Sequence, residues 1–268
     1  MNFLINHQNK LSMVEIFKSD AIELFKKLIE AFLLPIDTTG DNGMTFLHFA
    51  CRFSAVAIVS YLIDKGANVN AKDDEGETPL HTSCRLCGRN IDSSIIVIKK
   101  LIDNGADVNA IDNFGKTPLH FQCTFGVKPI VFFLVSMGAD CNARDDVFKQ
   151  SAFFTLLDTM GDDLDLIKFL IEKGKANLLL KTKEGGSVMT LLCFKKSNNY
   201  HGSKKERNVK KYIAIHFDKQ LKQQKFEHFQ LSNSFRFSRL LNNDQILNTI
   251  YKRVILTFIF NILIKQPI

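Results

Sequence analysis

Short segments with apolar residues three and four apart alternate with polar turns along the first two thirds of the chain. Ala57-Ile58-Val59-Ser60-Tyr61-Leu62-Ile63 and Ile98-Lys99-Lys100-Leu101-Ile102 have this spacing, which predicts amphipathic helices with one buried stripe. The runs between them, such as Asp74-Glu75-Gly76, have the composition of tight turns. Val14 to Leu34 predicts a helix pair, with Ile22, Phe25, Leu28, Ile29 and Phe32 on one apolar stripe. Few prolines and many Leu, Ile and Lys favour helix over a sheet-rich sandwich, so an all-α fold is expected.

The pattern is periodic. Thr45-Phe46-Leu47-His48 recurs as Thr78-Pro79-Leu80-His81 and Thr117-Pro118-Leu119-His120. Gly66-Ala67-Asn68-Val69-Asn70-Ala71 recurs as Gly105-Ala106-Asp107-Val108-Asn109-Ala110 and Gly138-Ala139-Asp140-Cys141-Asn142-Ala143. The threonines stand 33 and 39 residues apart and the glycines 39 and 33, so a unit of 33 with one six-residue insertion fits both series. Threonine caps a helix N-terminus through its hydroxyl, and proline suits the first helical position. Leucine then enters the core, and histidine can bond back toward the helix start. Each glycine ends a helix in a left-handed backbone, and the next Asp/Asn-Gly turn projects a finger toward the following unit.

These phrases resemble the ankyrin-repeat family over roughly residues 11–195. Weaker copies extend the array: Ser151-Ala152-Phe153-Phe154 stands in the TPLH position after a one-residue slip, and Gly174-Lys175-Ala176-Asn177 echoes the glycine phrase. Ser187-Val188-Met189-Thr190 opens an incomplete last unit. The resemblance implies an all-α solenoid of helix-turn-helix units with hairpin-like fingers. The expected divisions are a capping helix pair at 1–39, the array at 40–195, a basic linker at 196–212 and a helical segment at 213–268. The unit opening at Ser151 lacks the turn glycine and the proline, so an irregular finger is expected there. The insertion near Cys87 to Ser94 reads as a surface loop, with a partner-specific protrusion as the alternative.

The resemblance also implies binding by finger tips and the inner helix face. Carried over by position, the fingers supply Asp41, Asn42, Met44, Asp74, Glu75, Glu77, Asn113, Phe114, Lys116, Val147, Phe148 and Lys149. The inner helices supply Arg52 with Phe53, Arg85 with Leu86, and Thr124 with Phe125. Phe114 and Phe148 are the sharpest candidates, because a phenylalanine at a solvated turn is an apolar liability unless something covers it. Packing on neighbouring fingers is the competing explanation.

Charge is unevenly distributed. Residues 195–268 hold 15 Lys/Arg and 4 Asp/Glu, whereas residues 1–194 hold 20 and 24. A mildly acidic array with a basic tail follows, and the net charge of +7 belongs to the tail. Early fingers are acidic at Asp41, Asp74, Glu75 and Glu77, and later ones basic at Lys116, Lys149, Lys181 and Lys183. Lys204-Lys205-Glu206-Arg207-Asn208-Val209-Lys210-Lys211 reads as a solvated linker or as a site for an anionic partner. Phe226, Phe229, Phe235 and Phe237 interleave with basic residues without an RNA-binding signature. The longest apolar run, Val254 to Ile264, would span about 16 Å as helix, short of a ~30 Å bilayer core. The wider segment Gln245 to Ile264 reads as a helical cap on the last repeat, with a small helical module or a membrane-interface helix as the alternatives.

Candidate chemistry dissolves into the repeat. His48, His81 and His120 are one structural histidine per unit, and His81 with the Cys84-Arg85-Leu86-Cys87 pair lacks the second CxxC of a zinc site. The six cysteines fall in helical stretches and read as free thiols in a reducing compartment. No signal peptide is visible at Met1-Asn2-Phe3-Leu4. A cytoplasmic, monomeric, non-catalytic scaffold or adaptor is therefore expected, with no cofactor and no metal, binding a protein partner. The Lys/Asn/Ile/Phe bias suggests an AT-rich genome and a resemblance to ankyrin effectors of intracellular microbes or viruses, which would act in host cytoplasm or nucleus. The alternatives are a nucleic-acid- or membrane-associated factor working through the basic tail, and an F-box-like ubiquitin-ligase adaptor, for which no convincing motif stands in the sequence. Nucleic acid is the less favoured partner.

Overall fold

Three successive repeats begin with a threonine–histidine cap. Thr45 Oγ1 accepts from the His48 backbone N–H at 3.4 Å, and His48 Nδ1 accepts from the Thr45 N–H at 3.1 Å. Histidine here takes the role glutamate has in the usual capping box. Thr78 with His81 and Thr117 with His120 repeat the Nδ1 contact at 3.1 and 3.0 Å.

A computed structural model describes residues 13–85, 90–125, 127–160, 163–194 and 204–232. The caps launch α3 (Phe46–Arg52), α5 (Pro79–Arg85) and α7 (Pro118–Phe125), and α9 (Ala152–Met160) and α11 (Val188–Phe194) follow in the same role. Each neighbours the next, forming an inner layer. Returning helices α4 (Val56–Asp64), α6 (Ile91–Asp103), α8 (Lys128–Ser136) and α10 (Leu164–Glu172) form an outer layer. Before them stand α1 (Met13–Lys18) and α2 (Ile22–Phe32), and α12 (Lys204–Ser232) ends the described chain. The array is an all-α repeat solenoid.

The core lies between the layers. Leu47, Leu80 and Leu119 of the TPLH phrases are fully buried, as is Phe153 in the diverged copy. They meet Ile58, Leu62, Ile98, Leu101, Ile130, Leu134, Ile167 and Leu170 of the outer helices. Each such side chain contributes about 1.5–3 kcal/mol of burial. A single pair could not bury its stripe alone, which is why stability depends on neighbours in register.

The first pair joins the stack through aromatic contacts, Phe17 with Phe25 at 5.5 Å and Phe25 edge-on to Phe46 at 5.6 Å. The Asp20 carboxylate accepts from the N–H groups of Ala57 at 2.7 Å and Ile58 at 2.9 Å, capping α4 from the preceding repeat. One member of the expected stripe departs from it. Phe32 is the last residue of α2, and with Leu33 in a left-handed backbone it stays half-exposed.

The insertion is spent partly on helix instead of loop. Asn90 caps α6 by accepting from Ser93 N–H at 3.1 Å, and α6 runs 13 residues where α4 runs 9. Ser94, at its start, is buried and lies 2.9 Å from the Ser54 hydroxyl of the preceding repeat. The stretch expected as a basic linker is likewise helical in its described part. Val209 and Ile213, one turn apart in α12, are buried, and Tyr212 O–H donates to Glu172 of α10. An apolar pair at helical spacing inside the lysine run is the reason.

The chain divides into two units, Met1–Phe217 and Asp218–Ile268. In the described part of the second, Lys222 pairs with Asp218 at 2.7 Å along α12. Expectations for Phe235, Phe237 and residues 245–264, and for the side chains of Phe226 and Phe229, lie outside the described residues. Among the described residues no helix is long and apolar enough to cross a membrane.

Candidate functional site: the finger row

The fingers are built around aspartates that the sequence reading did not single out, Asp112 and Asp145 buried and Asp73 partly so. Asp73 Oδ1 accepts from the N–H groups of Glu75 at 3.0 Å and Glu77 at 2.8 Å. Asp112 holds Phe114 and Lys116 in the same way, both at 2.8 Å, and Asp145 holds Phe148 at 2.7 Å. Their regular recurrence, one per turn and followed by Asp or Asn, was the available signal.

Successive fingers are stitched by backbone bonds. Asp74 N–H donates to Asn42 O at 3.0 Å, Asn113 to Glu75 O at 2.9 Å, Asp146 to Phe114 O at 2.7 Å, and Lys183 to Phe148 O at 2.8 Å. This proximity explains the turn glycines. A Cβ on Gly76 would lie 2.8 Å from the Asn113 backbone nitrogen, and one on Gly115 2.9 Å from that of Asp146. Both also have positive φ. The fourth finger has one more residue and no glycine, and Lys149 takes the left-handed backbone at φ 54° instead. Its ammonium pairs with Asp146 at 2.6 Å.

A second ladder runs through the Asn of each VNA phrase. Asn70 accepts from Asp107 N–H at 2.9 Å and donates to Gly105 O at 2.9 Å. Asn109 does the same to Asp140 and Gly138, at 2.8 and 3.0 Å. The histidines supply a third. Because Nδ1 accepts from the threonine N–H, Nε2 carries the proton and donates onward. His48 reaches Glu77 O at 3.0 Å, His81 reaches Lys116 O at 3.1 Å and His120 reaches Gln150 O at 3.3 Å. Burial lowers the pKa of all three. With both nitrogens engaged, none is placed to act as a general base.

The row fixes where each expected contact residue stands. Asp41, Asn42, Asp74, Glu75, Asn113, Phe114, Val147 and Phe148 are exposed, and Lys116 and Lys149 are partly so. Phe114 is 50% and Phe148 54% exposed, so about half of each side chain's surface faces solvent. Arg52 and Thr124 are exposed on the inner helices, and Phe53 and Arg85 partly so. Leu86 and the side chain of Phe125 lie outside the described residues.

Two expected tip residues are instead buried. Met44 is 5% and Glu77 2% exposed, because the chain after each turn folds back against its own finger. Gly40 N–H donates to Met44 O at 2.8 Å and Asp73 N–H to Glu77 O at 3.0 Å. The Glu77 carboxylate meets Arg85 at 3.0 Å, and Glu75 stands 3.9 Å from the same guanidinium. Burial pushes the Glu77 carboxyl up to about 7 against the opposing pull of Arg85. Burial likewise raises the Cys51 and Cys141 thiols to about 12, leaving no thiolate for chemistry. Among the described residues no three His, Cys, Asp or Glu side chains are grouped to hold a metal.

A family model of ankyrin repeats in three copies matches residues 13–94, and a single ankyrin repeat matches 114–146. Together with the caps, fingers and layered helices above, this makes the chain an ankyrin-repeat protein. Human ankyrin repeat domain-containing protein 53 is 36% identical over 62 residues, 22% of this chain and 12% of that protein. Mouse protein phosphatase 1 regulatory subunit 27 is 26% identical over 80 residues, 30% of this chain and 52% of that one. The alpha-latrocrustotoxin-Lt1a of Latrodectus tredecimguttatus is 38% identical over 58 residues, 22% of this chain and 4% of the toxin. The chain thus spans about half of one of these relatives and a small fraction of the other two. Ankyrin repeats are generally protein–protein interaction modules.

Proposed function

We propose that this chain is a non-catalytic scaffold or adaptor that grips a protein partner with its finger tips and inner helix face. The observation that carries the reading is the exposed set of Phe114, Val147 and Phe148 on adjacent, mutually bonded fingers. Aromatic anchors on a preorganised support supply affinity at low ordering cost. Arg52, Arg85, Asp74, Glu75, Asn113, Lys116 and Lys149 flank them as the polar rim that sets specificity. Action in the cytoplasm is part of the same reading.

Photo-crosslinking tests this. Benzoylphenylalanine at position 114 should capture a defined protein in cells, and the same group at Ile96 on α6 should not. Equal capture from both positions would contradict the reading.

A further inference from the structure

Across the bonded row, tip chemistry follows an order. Asp74 and Glu75 lead, Phe114 follows, then Val147 and Phe148, and then Lys181 and Lys183, all exposed. The backbone bonds from Glu75 to Asn113, Phe114 to Asp146 and Phe148 to Lys183 hold the four fingers in that sequence. Some charge is already paired within the row. Lys149 and Asp146 neutralise each other at 2.6 Å, and Arg85 approaches Glu75 at 3.9 Å. Glu184 offsets one of the two lysines on the last finger. What remains is negative at one end, apolar in the centre and positive at the other.

A row ordered in this way is complementary to its own reverse. A two-fold axis between the Phe114 finger and the Val147–Phe148 finger would lay each on the other in a second copy. It would also lay Asp74 and Glu75 against Lys181 and Lys183 of that copy. Isologous pairing needs this self-complementarity. We propose that the finger row docks a second copy of this chain, antiparallel, in place of the monomer expected from the sequence. The proposal rests on the reading that the finger row is a docking surface, and it names one occupant. A foreign partner would have to present that order of charge and apolar surface, and a second copy already does.

Four finger tips make a small interface, below the ~1,200 Å² of tight complexes, so half-dissociation is expected on the order of 10–100 µM. Sedimentation of the full chain from about 5 to 500 µM reads this directly. The expected result is reversible dimer formation, weakened several-fold by raising salt from about 50 to 500 mM. Phe114→Ser with Phe148→Ser should weaken it at least about tenfold. Asp74→Lys with Glu75→Lys should also weaken it, and adding Lys181→Glu with Lys183→Glu to the same chain should restore it. Circular dichroism of each variant separates lost association from lost folding. A chain that stays monomeric at the highest concentration overturns the proposal. So does a dimer indifferent to these substitutions, such as one held by the basic tail. A monomer that still crosslinks another protein through position 114 would overturn only the self-pairing and leave the scaffold reading intact.

Discussion

His48 Nε2 lies 3.0 Å from the carbonyl oxygen of Glu77, so the first histidine holds the base of the next repeat's finger. His81 and His120 repeat the contact. One side chain thus caps its own helix and supports its neighbour, which makes the finger row a property of the stack and not of any one repeat.

Replacing His81 with Ala leaves the Thr78 N–H and the Lys116 carbonyl without this partner. A loss of about 2–3 kcal/mol is expected, read as a lower urea midpoint with an unchanged slope. Hydrogen exchange should accelerate at the Lys116 finger, one repeat away from the substitution.

The same histidines set an acid limit. Their folded pKa values lie below 6.5, so near pH 6 the unfolded chain binds more protons than the folded one. Their contribution is full above about 6.5 and is lost as pH falls toward the folded values. Urea midpoints measured from pH 8 to pH 5 should decline on the acid side, and His81→Ala should flatten that decline.

Glu77 has the opposite sign. Its folded pKa of about 7 exceeds the ordinary 4.5, so its contribution is full below 4.5 and is lost as pH rises through 7. Glu77→Gln should therefore be more stable than the parent at pH 8, by about 2 kcal/mol, with the gap closing near pH 4.5. A variant less stable than the parent at pH 8 would show that the Arg85 pairing outweighs burial.

The fingers give a paired test of backbone strain. Gly115→Ala places a Cβ 2.9 Å from the Asp146 nitrogen at φ 73° and should cost about 2–3 kcal/mol. Lys149→Gly relieves a left-handed lysine and should stabilise by about 1 kcal/mol or less. Thermal melts of the two variants should move in opposite directions.

The stack was legible because its signals are local and repeated: a threonine cap, a core leucine and a turn glycine at a fixed period. What sequence reasoning missed depends on contacts between repeats. Nothing local marks Asn109 as bonding Asp140 and Gly138 of the next unit, or His81 as reaching Lys116. Met44 and Glu77 were placed at the tips by position, yet the finger folds back one residue after its glycine. An apolar Met44 among polar neighbours carried a hint of this, and a charged Glu77 carried the opposite one. The repeat period marks the insertion as a loop, whereas the Asn90 cap and the helical spacing of Ile91 to Asp103 carry the local signal for helix.

The claim that the fingers do the binding is tested most directly by quantitative capture from cell extract with three forms of the full chain. These are the parent, Phe114→Ser with Phe148→Ser, and Leu24→Ser, which alters an equally exposed apolar residue on α2. The account predicts that the protein held by the parent is retained by the α2 variant and lost at least about tenfold by the finger variant, with all three folded. Equal retention by the finger variant would contradict it.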